Sequence, residues 1–326
     1  METQNEKFVT ICIPIYNTKP SLIKRCLKSA IRCGLDKSEF TIAICDDGST
    51  KDDTKETIIT EISKYRKQGY EINEHIHIKN LSLLEARRSM VYNAKSKFIY
   101  NLDSDDTILK DSFKEVKKIL IERNLEKYDI IATGFNEIAK SQALTHHKNF
   151  EFIGKSLLKV FAIDKAFSGY VWGKFINTEK YKRAISKLPV SYVNFTEDIL
   201  QIVYISLECT SFVCIEDDCK TYNYFRTNES ITSSSSKIKI TKFKWESLLS
   251  YKYTYIYLNP ANFSNSEIQN EFIKIHNKFL TELFSLLVIS NFDFNKKEAE
   301  KMFIDSFGLE LTYKLNESFK KVSKNK

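Results

Sequence analysis

The chain has 326 residues, with 50 Lys and Arg against 42 Asp and Glu for a formal net charge of +8; 42% is apolar and 28% charged. This is the composition of an ordinary folded globular chain, long enough for two or three domain-sized units, and with 8 Gly and 4 Pro long flexible linkers are not expected. The diffuse basic excess suits an anionic substrate, an anionic membrane surface or nucleic acid. No aromatic-and-basic module of the RNA-binding kind is present, so nucleic acid is not expected as a partner.

The first 135 residues alternate strand and helix patterns. Phe8–Pro14 predicts a strand, and Ser21 to about Cys33 a helix with Leu22, Cys26, Ala30 and Cys33 on one side. Thr41–Cys45 predicts a second strand, and 51–66 a helix whose Asp52 and Asp53 suit its N-terminus. Alternation over Ile72–Ile78 predicts an edge-like strand. A helix over 83–95, a strand over Phe98–Leu102, a helix over 110–123 and a strand over 128–133 follow. The rhythm implies an α/β fold: a mainly parallel sheet with helices on both faces. Beyond it, 155–163 suggests a short helix, Tyr170–Ile176 a strand, 197–208 an amphipathic helix, and 211–216 and 219–225 two short strands. The serine run Ser233–Ser236 marks a boundary near 235. Helical patterns over 238–258, 266–290 and 309–322 then predict a helical region across 236–326.

Seven cysteines, at 12, 26, 33, 45, 209, 214 and 219, form no C-x-x-C pair. They are expected to be reduced packing residues of a cytoplasmic protein. The polar N-terminus lacks a signal-peptide pattern. No run of about 18 apolar residues predicts a membrane span.

The chemistry concentrates in two acidic clusters. Thr41–Cys45 leads into Asp46, Asp47, Gly48 and Ser49; Phe98–Leu102 leads into Asp103, Ser104, Asp105 and Asp106. Ligands of open α/β sheets bind beyond the carboxyl ends of the strands. Carboxylates gathered there repel one another unless a cation joins them, and a hard divalent ion on a diphosphate fits. Each cluster alone also suits a turn or a helix cap. A third element, Pro14, Tyr16 and Asn17, follows the first strand, where Tyr16 has a ring face for a base and Asn17 an amide. There is no G-x-G, no G-x-x-x-x-G-K-[ST] and no H-E-x-x-H, which excludes the usual dinucleotide, P-loop and zincin fingerprints.

The strings ICIPIYN, ICDDGSTKDDT, FIYNLDSDD, VWGKF and NFTEDIL, in that order, resemble the family 2 glycosyltransferases of GT-A fold. The resemblance covers residues 8 to about 225 and implies a catalytic domain over 1–235, with a nucleotide-sugar half to about 135 and an acceptor half over 136–235. It implies a UDP-sugar donor and a divalent metal, Mn²⁺ or Mg²⁺. By motif position Tyr16 would stack near the uracil and Asp47 would bond its edge, with Pro14, Asn17, Asp46 and Ser104 also on the donor side. Asp105 would hold the metal, with Asp103 or Asp106 touching ribose, metal or sugar. Trp172, Lys174 and Glu197 would line the acceptor side, and Asp198 would be the general base. The implied reaction is inverting transfer to a hydroxyl on a glycan, glycolipid or glycoprotein of a bacterial surface.

The sequence departs from the family pattern in three places. Asn80-Leu81-Ser82 replaces a glycine-containing turn, Ala86-Arg87-Arg88 carries Arg where Asn is usual, and Ser96 stands for a Gly. Arg87 and Arg88 suit a diphosphate through their planar forks, or a salt bridge. In the tail, Leu311, Leu315, Phe319 and Val322 recur at helical spacing before Lys320, Lys321, Lys324 and Lys326. That leaves open a peripheral membrane contact at the inner face, self-association through the C-terminal helices, or a helix packed on its own domain. Two other functions are weighed: a sugar-nucleotide nucleotidyltransferase, disfavoured by the glycine-free loop after the first strand, and a non-catalytic carbohydrate-binding protein of the same fold.

Overall fold

The computed structural model describes residues 6–138, 147–154, 157–162, 164, 166–191, 193–194 and 196–225, together with 246, 250, 252–254, 301 and 304–305. Seven strands and helices open the chain in alternation: β1 (Val9–Ile15), α1 (Pro20–Ile31), β2 (Phe40–Asp46), α2 (Asp52–Lys67), β3 (Ile72–Ile76), α3 (Leu83–Asn93) and β4 (Phe98–Asn101). There follow β5 (Thr107–Ile108), α4 (Ser112–Glu122), β6 (Ile130–Ala132), β7 (Gly134–Ile138), β8 (Phe150–Ile153), α5 (Leu158–Ala162), β9 (Lys174–Asn177), α6 (Thr178–Lys187), α7 (Glu197–Glu208), β10 (Ser211–Cys214) and β11 (Lys220–Phe225).

Eight strands form one sheet in the order β3-β2-β1-β4-β9-β6-β10-β8, and β5-β11-β7 form a second. Strands β3, β2, β1 and β4 are mutually parallel, whereas β9 runs antiparallel to β4 and β6. The apolar runs of β1 and β2 follow from burial on both faces: every residue of these two strands is buried, whereas the edge strand β3 is largely only half-buried. The chain moves outward from β1 to β3 and then returns to β4. Right-handed crossovers therefore set α1 and α2 on one face and α3 on the other. The order reverses beside β1, the switch point at which such sheets open a crevice.

The helices follow local chemistry. Pro20 at the first turn of α1 fixes φ where no N–H is needed. Ile23, Cys26, Leu27 and Ala30 form its buried stripe, each large apolar side chain contributing about 1.5–3 kcal/mol. Asn177 caps α6 by accepting from Lys180 N at 3.0 Å. All seven cysteines are buried and free, as packing residues.

Periodicity placed the elements up to β4 closely and was weaker beyond. The strand expected over Tyr170–Ile176 is confined to Lys174–Asn177, because Gly173 has φ 68° and Trp172 makes only an isolated bridge to Asn101. Strands β5, β7 and β8 and helix α6 were not anticipated.

Two compact units emerge, residues 1–192 with 201–233, and 193–200 with 234–326. Within the second, Asn194 N donates to Glu246 at 3.0 Å. The serine run and the patterns over 266–290 and 309–322 lie outside the described residues, bar isolated positions of the C-terminal region. No helix among the described residues is long and apolar enough to cross a membrane.

Candidate active site

Strand register brings the acidic clusters to one end of the sheet. Ile15 pairs with Asp46, and Cys12 with Asn101. Asp47 N then bonds Ile15 O at 2.9 Å, and Leu102 N bonds Cys12 O at 2.9 Å. Pro14 is buried one residue short of the end of β1. Tyr16, just beyond, is 46% exposed and presents its ring at this end.

Asn17 does not offer its amide outward. With φ 51° it turns back, and its Oδ1 accepts from Thr50 N at 2.8 Å and Lys51 N at 3.1 Å while its Nδ2 donates to Thr50 Oγ1. These bonds clamp the 49–51 loop. Asp46 Oδ1 accepts from Ser49 N, three residues on, at 2.9 Å and so closes the turn. Gly48 is required between them: its φ is +69°, and a Cβ there would come within 2.3 Å of Lys79 C.

Asp47 is only 2% exposed. Its Oδ1 accepts from His77 Nδ1 at 2.6 Å and Leu81 N at 2.9 Å; its Oδ2 accepts from Asn80 Nδ2 at 2.9 Å and Ser82 N at 3.0 Å. Four donors fill a carboxylate's lone-pair positions, and through them Asp47 organises the 77–82 turn. The departure at Asn80-Leu81-Ser82 is explained here. Ser82 adopts φ 109°, a glycine-like conformation costing about 1–3 kcal/mol. Offsetting bonds come from its N–H to Asp47, its hydroxyl to Ser191 O at 2.9 Å, and its cap on Glu85 N. Ser96, the other departure, has no positive φ and joins Thr10 Oγ1 and Phe98 O, each at 2.7 Å.

The second cluster folds as a tight turn, with Asp106 N bonded to Asp103 O at 3.0 Å. Ser104 Oγ meets Thr18 Oγ1 at 2.8 Å, tying the turn to the β1–α1 loop. Arg87, wholly buried on α3, donates from Nη2 to Asp103 Oδ1 at 2.9 Å. Asp105 is pushed up to about 6, first by burial and then by the charge of Asp103. Asp106 is pushed up to about 8, again first by burial and then by Asp105 and Asp103. Its Oδ2 accepts from Tyr222 Oη at 2.6 Å and its Oδ1 from Phe225 N at 2.7 Å. At 1% exposure Asp106 anchors β11 through these two bonds.

Could the remaining carboxylates hold a divalent ion? Among the described residues no group of three or more His, Cys, Asp or Glu is arranged to hold one unaided. Mg²⁺ and similar ions bind through one or two carboxylates plus substrate phosphates. Asp105, with Asp103 adjoining, fits that smaller role. The mutual repulsion and burial that raise Asp105 are what a cation would relieve.

Three further candidates have their side chains engaged by the protein. Arg88 bonds Glu85 through Nε at 2.9 Å and reaches the carbonyls of Ile185, Leu188 and Pro189, so its fork holds the 185–189 chain. Trp172 is 4% exposed, stacked on Tyr170 and Tyr222 at centroid distances of 4.6 Å each, with Tyr224 at 5.5 Å. Its faces are covered by protein rings and are not open to an acceptor. Buried Lys174 directs Nζ to Tyr170 O at 2.7 Å and Ser168 Oγ at 3.0 Å, holding that loop. Glu197, buried, and Asp198, half-buried, open α7 after Thr196 at φ 63°.

Comparisons with known proteins follow this geometry. The model of glycosyl transferase family 2 matches residues 10–175. An uncharacterized glycosyltransferase of Rickettsia conorii is 32% identical over 120 residues, 37% of this chain and 18% of that protein. Another from Rickettsia felis is 34% identical over 116 residues, 36% of this chain and 18% of that protein. The matched stretch thus spans under a fifth of these curated relatives. Among solved structures, S. aureus TarS 1-349 in complex with UDP-GlcNAc superposes with TM-score 0.68 at 18% identity, covering 93% of this chain and 80% of that one. The mannosyltransferase PcManGT of Pyrobaculum calidifontis, in complex with GDP-Man and Mn²⁺, gives TM-score 0.52 at 10% identity, covering 97% and 80%. At these identities the structural likenesses establish the fold.

Proposed function

The chain belongs to glycosyl transferase family 2, and from that premise we propose that it transfers a sugar from a UDP-sugar to an acceptor hydroxyl, with a divalent cation and with inversion. The observation that carries this reading is the convergence of exposed Tyr16 and the Asp103–Asp106 turn at the carboxyl ends of β1 and β4, beside the switch point. A nucleotide sugar as donor is supported by the UDP-GlcNAc and UDP complexes of the TarS fragment. A divalent ion is supported by the Mn²⁺ of the mannosyltransferase complex.

In this reading Tyr16 covers one face of the uracil. Asp105, with Asp103 beside it, holds Mn²⁺ or Mg²⁺. The cation, when bound, supplies the positive charge that a departing nucleoside diphosphate requires. Arg87 fixes the rotamer of Asp103 through their 2.9 Å bond. Asp198 takes the proton from the acceptor hydroxyl. A single base opposite the leaving group gives a one-step displacement and inversion, as in inverting glycoside hydrolysis. The roles of Asp198, and of a surface glycan, glycolipid or glycoprotein as acceptor, are supported by motif resemblance. The basic C-terminal sequence supports a position against the cytoplasmic face of a membrane.

The test is release of UDP from a panel of UDP-sugars with Mn²⁺, with Mg²⁺ and with EDTA. Metal-dependent release from one donor is expected. Asp198→Asn should suppress transfer by about 10²–10⁴-fold while UDP affinity holds. Release that ignores EDTA would remove the metal from the mechanism.

A further inference from the structure

Arg25 sits on α1, outside every motif. Its guanidinium carbon lies 3.8 Å from the centroid of the Phe225 ring, at the end of β11. Its Nη2 donates to the main-chain carbonyl of Asp105. Its Nε is buried and meets no hydrogen-bond partner. The ring and that carbonyl therefore fix the group.

These contacts close a circuit. Arg25 holds Asp105 O; Asp106, the next residue, accepts from Phe225 N at 2.7 Å; and the Phe225 ring lies under Arg25. The neighbouring residue on α1 adds a weaker tie, Cys26 Sγ to Asp103 O at 3.6 Å. Asp105 is thus gripped through its main chain from α1, while β11 grips its neighbour. Its own carboxylate accepts neither Arg25 nor Phe225.

We propose that Arg25 is a positioning residue for the cation and diphosphate: by holding the Asp105 backbone it aims the Asp105 carboxylate. This rests on the donor-site reading above. Charge alone acts in two directions, repelling the cation and attracting the diphosphate, so the charge-keeping lysine variant is what separates positioning from charge. Lysine keeps the charge but lacks the planar fork that both stacks and donates.

The experiment titrates Mn²⁺ into the full chain at saturating UDP and counts free Mn²⁺ by electron paramagnetic resonance. It compares wild type with Arg25→Gln, Arg25→Lys and Phe225→Leu, and thermal unfolding of each variant establishes that it is folded. Positioning predicts Mn²⁺ binding about 10- to 100-fold weaker in Arg25→Gln, the loss usual when a group that orients a metal ligand is removed. Arg25→Lys and Phe225→Leu weaken in the same direction. Phe225→Leu keeps Arg25 itself, so it decides the matter should the Arg25 variants not fold. Unchanged or tighter binding in the folded variants overturns the role of Arg25 and leaves the donor site standing. A wild type that binds no Mn²⁺ with UDP overturns the donor-site reading and this inference with it.

Discussion

Asp47 and His77 meet at 2.6 Å, carboxylate oxygen to Nδ1, and Nε2 of the same ring lies 2.8 Å from Ser89 Oγ. An ionised carboxylate only accepts, so Nδ1 carries a proton. The ring thus bridges the end of β2 to α3 with both nitrogens engaged. His77→Ala removes one of Asp47's four donors and the contacts of Nε2 with Ser89 Oγ and Cys45 Sγ. The expected loss is about 1–3 kcal/mol, a fall of roughly 2–4 °C in melting temperature per kcal/mol. A melting temperature equal to wild type would show that the three remaining donors suffice.

Gly48 makes a sharper case. Alanine there combines φ +69° with a Cβ 2.3 Å from Lys79 C and 2.6 Å from Asn80 N, both backbone atoms that cannot swing aside. Gly69 has a similar φ of +85°, but its Cβ would meet only Lys37 side-chain atoms, at 3.8 Å or more. Gly69→Ala should therefore show the conformational cost alone, on the order of 1 kcal/mol. Gly48→Ala should cost clearly more and weaken UDP binding by shifting the 79–82 turn. Equal urea midpoints for the two variants would contradict the close approach.

In the proposed reading Asp105 and Asp106 are neighbours with opposed duties, and asparagine at each should separate them. Asp105→Asn is expected to weaken Mn²⁺-dependent UDP binding by at least about tenfold, near 1.4 kcal/mol, with little change in stability. Asp106→Asn keeps one acceptor oxygen, for Phe225 N, and turns an NH₂ group toward Tyr222 Oη, which can then no longer donate there. Its loss should appear in thermal stability, roughly 1–3 kcal/mol, with Mn²⁺ affinity of the folded protein far less affected. The reverse pattern would make Asp106 the ligand.

Tyr16 is exposed enough that its removal should not touch the fold. Stacking of a base on an aromatic ring is worth about 1–3 kcal/mol, so Tyr16→Ala should weaken UDP roughly 5- to 150-fold at an unchanged melting temperature. Tyr16→Phe should bind as wild type. Equal UDP affinity in Tyr16→Ala would place the base elsewhere.

The parallel sheet and its acidic ends were legible because buried strands write themselves as apolar runs, and a carboxylate just past such a run stands out. What local pattern could not show is where each carboxylate's oxygens go. Asp46 and Asp47 are adjacent in sequence, yet one closes a turn with Ser49 and the other gathers four donors from residues 77–82. Asp106 is claimed by Tyr222 and Phe225, more than a hundred residues away. Trp172 lies among Tyr170, Tyr222 and Tyr224 for the same reason. His77 and Arg25 were passed over because a single His just past a strand or Arg on a helix carries no periodic signal; their meaning comes from tertiary partners. The strands β5 and β7 escaped notice because they are short and pair with β11, distant in sequence.

The central claim is that this end of the sheet holds a uridine diphosphate through a cation. Calorimetric titration of UDP into the full chain, once with Mn²⁺ and once with EDTA, tests it most directly. The account predicts saturable binding with Mn²⁺ that falls by at least about tenfold in EDTA. Equal affinity in both conditions, or no binding in either, would contradict it.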